Sequence, residues 1–246
     1  MAQISNKEIK FIKSLSSKKF RDESGLFVVE GEKLVREALA SGFEVENIYR
    51  RDEIGEETMS RISLLSSPSP VLALVRKPSD IDQAPASIDN GLYLALDSIR
   101  DPGNLGTILR IADWFGIKSV IASPDTVEAF NPKVVQSTMG AIFRVDLHYI
   151  DLEVFANDVL KLDGRIYGTF LDGENIYSKD LDTGAVRPSV IVIGNEANGI
   201  SERIEALVNE RLFIPPYPVD EPGSESLNAA VATAITVAEF RRRANI

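Results

Sequence analysis

Residues 94–110 read Leu-Ala-Leu-Asp-Ser-Ile-Arg-Asp-Pro-Gly-Asn-Leu-Gly-Thr-Ile-Leu-Arg, in which an apolar run leads through a segment containing proline and glycine into a second apolar run. The apolar residues 92–96 predict a buried strand. The proline and glycines that follow predict a tight turn, because these residues allow the backbone to reverse and to approach other groups closely. Residues 107–115 predict a helix after that turn.

The start of this helix is suited to ligand binding, because its first amide groups have no partner within the helix. Arg110 lies about one turn into the helix and can point back towards the turn. A Gly-x-x-Gly segment after a strand is equally typical of a purely structural turn, so both interpretations stay open. The spacing differs from the Gly-x-Gly-x-x-Gly dinucleotide pattern, and no Gly-Lys-Ser/Thr follows, which argues against a nucleoside-triphosphate loop.

The second half of the chain alternates strand and helix patterns. Further strands are predicted at residues 119–122, 165–170, 190–193 and 212–214, and helices at residues 152–162, from Ser201 towards residue 208, and at the C-terminal end, where Leu227, Val231, Ala234 and Ala238 share a face. This alternation predicts an α/β fold with a mostly parallel sheet, whose ligands bind at the carboxyl ends of the strands.

The first half predicts a small α/β domain. Strands are predicted at residues 26–29, 45–49 and 71–75, with helices at residues 4–15, 33–39 and 54–62. Residues 77–91 contain two prolines and an Asn-Gly turn, which is typical of a linker. We therefore expect a first domain at residues 1–76, a linker at 77–91 and a second domain at 92–246.

The composition excludes several kinds of chemistry. The 246 residues include no cysteine, so disulfides, iron–sulfur clusters, zinc–thiolate sites and cysteine nucleophiles are excluded. The one histidine, His148, is expected to be structural, which argues against a multi-histidine metal site and a serine–histidine triad. No metal site is predicted. No apolar stretch has the length of a membrane span or a secretory signal, so we expect a soluble, cytoplasmic protein.

The formal net charge of −10 argues by itself against nucleic-acid binding. The local distribution of charge matters more. A basic cluster is formed by Lys7, Lys10, Lys13, Lys18, Lys19 and Arg21, and it fits either a solvated helix face or a contact with RNA. A second basic cluster, residues 241–243, is expected to complement the negative end of the last helix dipole.

Two more segments combine a strand end with polar and small residues. Residues 190–201 read Val-Ile-Val-Ile-Gly-Asn-Glu-Ala-Asn-Gly-Ile-Ser, and residues 212–216 read Leu-Phe-Ile-Pro-Pro, with Glu-Ser-Leu-Asn-Ala-Ala-Val-Ala at 225–232. Taken alone, the first fits a connecting turn and the second fits a tightly packed terminal helix.

Together, the three segments resemble in order and content the motifs of the SpoU (TrmH-like) branch of the SPOUT methyltransferases. Residues 101–110 are similar to the first motif, residues 193–200 to the second, and residues 214–232 to the third. Residues 131–141 also resemble the middle region of that family. Phe-Val-Val-Glu-Gly at 27–31 resembles the RNA-binding domain often fused ahead of the catalytic one.

The third motif departs from the family pattern. Residues 217–224 make its loop longer and more acidic than usual, and Ala229-Ala230 stands where a Val-Ser pair is common. The departure bears on contacts between this loop and a bound cofactor.

The resemblance implies an enzyme that methylates a ribose 2′-hydroxyl of RNA with S-adenosylmethionine, ribosomal RNA being favoured over transfer RNA. It implies a C-terminal trefoil knot in the catalytic domain and a homodimer. Cofactor contacts carry over to Thr169, Gly194, Ile214 and Leu227. Two alternatives stay open: methylation of a base nitrogen, and a non-catalytic RNA-binding scaffold.

The resemblance assigns the catalytic positions to Asn104, Arg110, Glu196, Ser226 and Asn228. A guanidinium stays protonated in proteins, so Arg110 is expected to bind a phosphate and to lower the pKa of the ribose hydroxyl electrostatically. Glu196 is then a hypothetical proton acceptor, directly or through water.

Overall fold

The computed structural model describes residues 4–218 and 226–244. The chain forms two compact units. The first unit consists of Met1–Ser79 and Glu128–Arg144, and the second of Asp80–Val127 and Val145–Ile246. Part of the longer loop in the third motif, residues 219–225, lies outside the described residues.

The helices and strands are numbered along the chain. The helices are α1 (Asn6–Ser14), α2 (Lys18–Ser24), α3 (Glu32–Ala40), α4 (Arg51–Ile54), α5 (Glu56–Ile62), α6 (Pro102–Trp114), α7 (Pro132–Thr138), α8 (Leu152–Lys161), α9 (Glu202–Glu205) and α10 (Ala229–Arg243), with a 3₁₀ turn at Ala141–Phe143. The strands are β1 (Leu26–Glu30), β2 (Val45–Arg50), β3 (Val71–Arg76), β4 (Gly91–Leu96), β5 (Ser119–Ala122), β6 (Asp146–Tyr149), β7 (Arg165–Asn175), β8 (Pro188–Ile193) and β9 (Glu210–Phe213).

The first unit is built on an antiparallel sheet in the order β1-β3-β2. One face of this sheet carries Val28, Leu72 and Leu74, which pack against buried residues of α1 and α5. Alternate residues of a strand point to opposite faces, so Phe27 and its neighbours need cover on the other side.

That cover includes residues 128–144. The rings of Phe27 and Phe130 lie 4.6 Å apart, and those of Phe43 and Phe143 lie 5.1 Å apart. Arg21, only 2% exposed, donates to the Glu128 carboxylate and to the Leu15 carbonyl. A segment that follows β5 in the sequence therefore completes the core of the first unit, although the sequence patterns placed it within a continuous second domain.

The second unit has a six-stranded parallel sheet in the order β6-β5-β4-β8-β7-β9. At its centre Leu94 pairs with Val120 on one side and with Ile191 on the other. Every residue of β8 is buried, as expected of a strand between two neighbours and two helix layers. The predicted α/β fold with a mostly parallel sheet is confirmed.

Helix α6 begins five residues before the predicted start at residue 107. The Asp101 side chain accepts a hydrogen bond from the Asn104 amide at 2.9 Å, and Pro102 occupies the first helical position. Gly103 fits because a Cβ there would lie 2.9 Å from Asp101 Oδ1. The proline–glycine segment is thus the first turn of the helix rather than a turn before it.

The basic end of α10 also differs from expectation. Arg241 donates to the carbonyls of Phe115 and Gly116. Arg243 donates to three carbonyls in residues 176–179 and to Glu239. The predicted interaction with the helix dipole does not account for the whole basic cluster, because Arg241 and Arg243 bind α10 to other segments of the unit.

The N-terminal basic cluster is divided in the same way. Arg21 is buried and Lys13 donates to the Ser63 carbonyl, while Lys18 and Lys19 pair with acidic residues one turn later in α2. Lys7 and Lys10 remain exposed on α1 and make no ion pair with any residue that the structure describes.

His148 has a local structural contact. Its Nδ1 lies 2.8 Å from the Gln83 carbonyl oxygen. Within residues 4–218 and 226–244, no group of three or more His, Cys, Asp or Glu side chains could hold a metal ion. In those same ranges, every helix is too short or too polar to cross a bilayer.

The contact between Phe130 and Phe27 predicts that Phe130→Ala destabilises the full-length protein by about 3–5 kcal/mol, because a buried ring is lost and leaves a cavity. Urea unfolding measures this change. The matched control is Phe20→Ala, at a half-exposed phenylalanine, which should cost about 0.5 kcal/mol. Equal losses in the two variants would contradict the role assigned to residues 128–144.

Hydrogen bonding from Arg242, with a further contribution from Arg243, lowers the pKa of Glu239 from 4.5 to about 2 despite burial. Since the folded-state pKa lies below the unfolded one, this carboxylate stabilises the fold fully above about pH 5 and loses that contribution as pH falls towards 2. Glu239→Gln should therefore flatten the decline of unfolding free energy between about pH 5 and pH 3. Urea titrations at several pH values measure it, and a slope as steep as that of the wild-type protein would refute the assignment.

Candidate active site

The candidate site lies at the carboxyl edge of the parallel sheet. Parallel strands end at the same edge, so the loops after β4, β8 and β9 meet there. The loop after β4 leads into α6, the loop after β8 contains Glu196, and Asn228 begins α10. The three sequence motifs supply these three segments.

Glu196 joins the second loop to the first. Its Oε1 accepts from Asn104 Nδ2 at 2.9 Å and from the Asp101 amide at 3.2 Å. Its Oε2 accepts from the Arg100 amide at 3.2 Å. The carboxylate thus binds the turn that starts α6 through two backbone donors and one side-chain donor.

Asn228 joins the third segment to the same group. Its Oδ1 accepts from the amides of Ala230 and Val231, and so it caps α10. Its Nδ2 donates to Asn104 Oδ1 at 2.8 Å. Three residues that the sequence assigned to one site, Asn228, Asn104 and Glu196, therefore form one hydrogen-bonded chain.

The Glu196 carboxylate is held in its charged form. Burial raises its pKa, but the hydrogen bonds from Asn104 and from backbone amides, including those of Arg100 and Asp101, outweigh burial and leave the pKa below the ordinary value. The group is ionised at neutral pH.

Arg110 and Ser226 lie outside this chain. Both side chains are exposed, and neither makes a hydrogen bond or ion pair with any residue in the described part of the protein. Arg110 follows Asn104 by six residues on α6. The two groups are therefore available to a ligand.

The residues expected to contact a cofactor come from neighbouring strands. Thr169 on β7 pairs with Leu212 on β9, two residues before Ile214. Gly194 follows Ile193, the last residue of β8, which is the other neighbour of β7. Leu227, 48% exposed, directly precedes Asn228. The strand pairings place Thr169, Gly194 and Ile214 at or just beyond the carboxyl ends of neighbouring strands, and Leu227 precedes a residue that is hydrogen-bonded at that edge.

The second loop closes on itself. The amides and carbonyls of Asn195 and Gly199 form two mutual hydrogen bonds of 2.9 Å. A Cβ on Gly194 would collide with the backbone of Gly199 and Ile200, so only glycine fits there. This closure presents backbone rather than side chains at the end of β8.

Sequence reasoning missed several residues that hold the loops. Asp97, 1% exposed, accepts from the Ser201 amide at 2.6 Å and so joins the end of β4 to the start of α9. Asn195 donates to the Ser98 carbonyl, and Asp125 accepts from Ser98 and from Arg100. A carboxylate directly after a buried apolar strand was the available signal for Asp97.

Asp97→Asn should destabilise the fold by about 1–3 kcal/mol, because it weakens a charge-assisted hydrogen bond in a buried position. Thermal and urea unfolding measure the loss. Asp158→Asn is the matched control, since Asp158 makes only a surface ion pair with Lys161, and it should change stability by less than about 0.5 kcal/mol. Similar effects in both variants would remove Asp97 from the support of these loops.

Comparison with known proteins agrees with the motifs. Residues 91–238 match the model of the SpoU rRNA Methylase family, and residues 6–66 match the MRM3-like substrate binding domain. The chain is 30% identical over 252 residues to the 23S rRNA (guanosine(2553)-2'-O)-methyltransferase RlmP of Bacillus subtilis, with 96% of each chain covered.

Two solved structures share the architecture. A TrmH-family protein from Porphyromonas gingivalis has a TM-score of 0.86 at 35% identity, covering 98% of this chain and 100% of its own. An rRNA methyltransferase from Sinorhizobium meliloti with bound AdoMet has a TM-score of 0.84 at 28% identity, covering 98% of each chain. With the family match extending over more than half its length, the chain belongs to the SpoU rRNA methylase family.

Proposed function

We propose that this protein transfers a methyl group from S-adenosylmethionine to a ribose 2′-hydroxyl of ribosomal RNA. The observation that carries the proposal is the hydrogen-bonded chain of Glu196, Asn104 and Asn228, which joins three family motifs at one edge of the sheet. The Bacillus subtilis relative is named for the same reaction on 23S rRNA, and the similarity extends over 96% of both chains.

The residues at the carboxyl edge fit the cofactor. Gly194 brings backbone to the end of β8 without a side chain, and Thr169, Ile214 and Leu227 supply small or apolar surface beside it. These four residues would hold S-adenosylmethionine. When bound, it would supply an electrophilic methyl carbon, whose bond to the positively charged sulfur breaks as the ribose oxygen attacks and leaves the sulfur as a neutral thioether.

The substrate side of the site is formed by the uncommitted polar groups. Arg110 keeps its positive charge, so it binds a phosphate next to the target ribose and favours the ionised form of the hydroxyl. Ser226 can donate to or accept from the ribose. Positioning of the ribose hydroxyl by these residues supplies a large part of the rate gain.

The first unit supports binding of RNA. It matches the MRM3-like substrate binding domain, and Lys7 and Lys10 on α1 offer two exposed cations for phosphate contacts. Because the net charge is −10, electrostatic binding of RNA is confined to such local basic positions. We place the reaction in the cytoplasm, where this substrate is made and modified.

Exposed apolar side chains on α6 and α10 support a homodimer. Trp114 is 85% exposed at the end of α6, and Val231 is 47% exposed on α10 beside the exposed Leu227. Of the residues predicted to share a face there, Leu227 and Val231 are exposed, while Ala234 and Ala238 are half-buried. A second copy of the chain would cover these side chains next to Arg110.

The knot implied by the family belongs to the same proposal: β9 and α10 would thread a loop of the second unit.

Purified protein should transfer label from methyl-labelled S-adenosylmethionine to ribosomal RNA, at a nucleotide whose 3′ linkage then resists alkali. Arg110→Lys should lower kcat/KM by about 100-fold, because an ammonium replaces a planar, two-pronged phosphate ligand. Arg165→Lys, at the opposite edge of the sheet, is the matched control and should stay within about twofold.

Other outcomes would overturn the proposal. Label on a base, with the phosphodiester still sensitive to alkali, would indicate methylation of a base nitrogen. Absence of S-adenosylmethionine binding in a calorimetric titration would indicate an RNA-binding scaffold. Methylation of transfer RNA in preference to ribosomal RNA would refute the substrate assignment alone.

A further inference from the structure

We infer that Glu196 is a positioning residue, whose permanent negative charge orients Asn104 and Asn228, and that solvent water rather than Glu196 takes the proton from the ribose hydroxyl. The inference rests on the proposed function and adds to it the identity of the proton acceptor. It replaces the hypothesis that Glu196 is the base.

Both oxygens of Glu196 are already engaged by donors. Oε1 receives two hydrogen bonds, from Asn104 Nδ2 and the Asp101 amide, and Oε2 receives one from the Arg100 amide. A proton on Oε2 that points towards Arg100 would face a backbone N–H. A proton on Oε1 would compete with two donors. Protonation therefore removes or weakens hydrogen bonds that hold the first turn of α6.

Titration of the group agrees with this geometry. Hydrogen bonds from Asn104 and neighbouring amides lower the pKa of Glu196 in spite of the opposing effect of burial. A carboxylate whose pKa lies below its ordinary value is a weaker base than an ordinary glutamate. Water is a weaker base still, so the case against Glu196 as the acceptor rests on its two oxygens being occupied by donors.

The hydrogen bonds fix the orientation of the two asparagine side-chain amides. Asn228 Oδ1 must accept from the first amides of α10, so its Nδ2 points towards Asn104. Asn104 then accepts through Oδ1 and donates through Nδ2, which requires an acceptor at the far end. An ionised carboxylate is the one side chain that accepts on both oxygens and donates on neither. The charge of Glu196 thus sets the orientation of both asparagines.

Among the residues that the structure describes, the other polar groups at the edge leave the proton to solvent. Asp101 Oδ1 already accepts from the Asn104 amide, and the Ser226 hydroxyl is no stronger a base than water. Arg110 is a donor without acceptor capacity, and the two asparagine amides are neutral and engaged. The side chains of Glu196, Arg110 and Ser226 are all exposed, so the edge admits water. The hydroxyl proton passes to a water molecule there and on to bulk buffer, while Arg110 stabilises the oxygen that loses it.

The decisive variant is Glu196→Gln, with Glu202→Gln, at an exposed position of α9, as the matched control. A glutamine keeps the shape of the side chain but places an NH2 group against a donor. We expect kcat to fall by about 10- to 100-fold with KM changed less than about threefold, and the control to stay within about twofold of wild type.

The pH dependence separates positioning from proton transfer. We expect log kcat of Glu196→Gln to run parallel to that of the wild-type protein between about pH 6.5 and pH 9. If Glu196 were the base, its loss would leave hydroxide to do the work, and the variant alone would acquire a slope near +1. Such a slope would overturn the inference.

A double-mutant cycle and a spectrum complete the test. Because Glu196 acts through Asn104, Glu196→Gln should cost less than about threefold in an Asn104→Ala background. The side-chain amide signals of Asn104 and Asn228 should shift in Glu196→Gln and not in Glu202→Gln. Additive losses or unshifted signals would overturn the inference. If the wild-type protein methylates no ribose, the proposed function fails, and the amide signals still decide the orienting role.

Discussion

The hydrogen bond from Asn104 to Glu196 is the constraint on which the site depends. It joins the helix that starts after β4 to the loop that follows β8, and Asn228 extends the connection to the N-terminus of α10. Two of these residues also satisfy backbone groups: Glu196 accepts from two amides and Asn228 caps a helix. The same contacts therefore stabilise the loops and place the polar groups, so a change at one position is felt at all three.

The parallel sheet makes this meeting of loops possible. The strands β4 and β8 are neighbours in the order β6-β5-β4-β8-β7-β9. In the sequence, however, 91 residues lie between Leu96 at the end of β4 and Pro188 at the start of β8. All strands end at one edge, so polar residues that follow apolar runs collect there. Asp97 and Asn195 fasten the loops directly at the strand ends, while Arg110 and Ser226 make no hydrogen bond or ion pair with any residue that the structure describes. The residues that hold the loops in place are thus different from the residues whose side chains have no partner among the described residues.

The first unit shows how far sequence order can depart from structural organisation. Residues 128–144 follow β5 but pack through Phe130 and Phe143 against aromatic rings of residues 1–79. The buried Arg21 gains a charged partner from the same segment. An arginine removed from water needs such a partner, so the basic cluster at the N-terminus cannot be interpreted from charge alone. Only part of it is available to RNA.

The sequence by itself determined the alternation of strands and helices, the α/β class and the membership of three motifs in one family, because apolar periodicity and motif content are local properties. It placed Asn104, Glu196 and Asn228 in one site through that resemblance. It did not reveal α7 as part of the first unit, the support from Asp97, or the surface position of Val231. Those depend on which distant residues become neighbours. Only the tertiary structure decided that Glu196 is surrounded by donors, which is the basis for inferring that it orients the site, because the donors come from a segment distant in sequence.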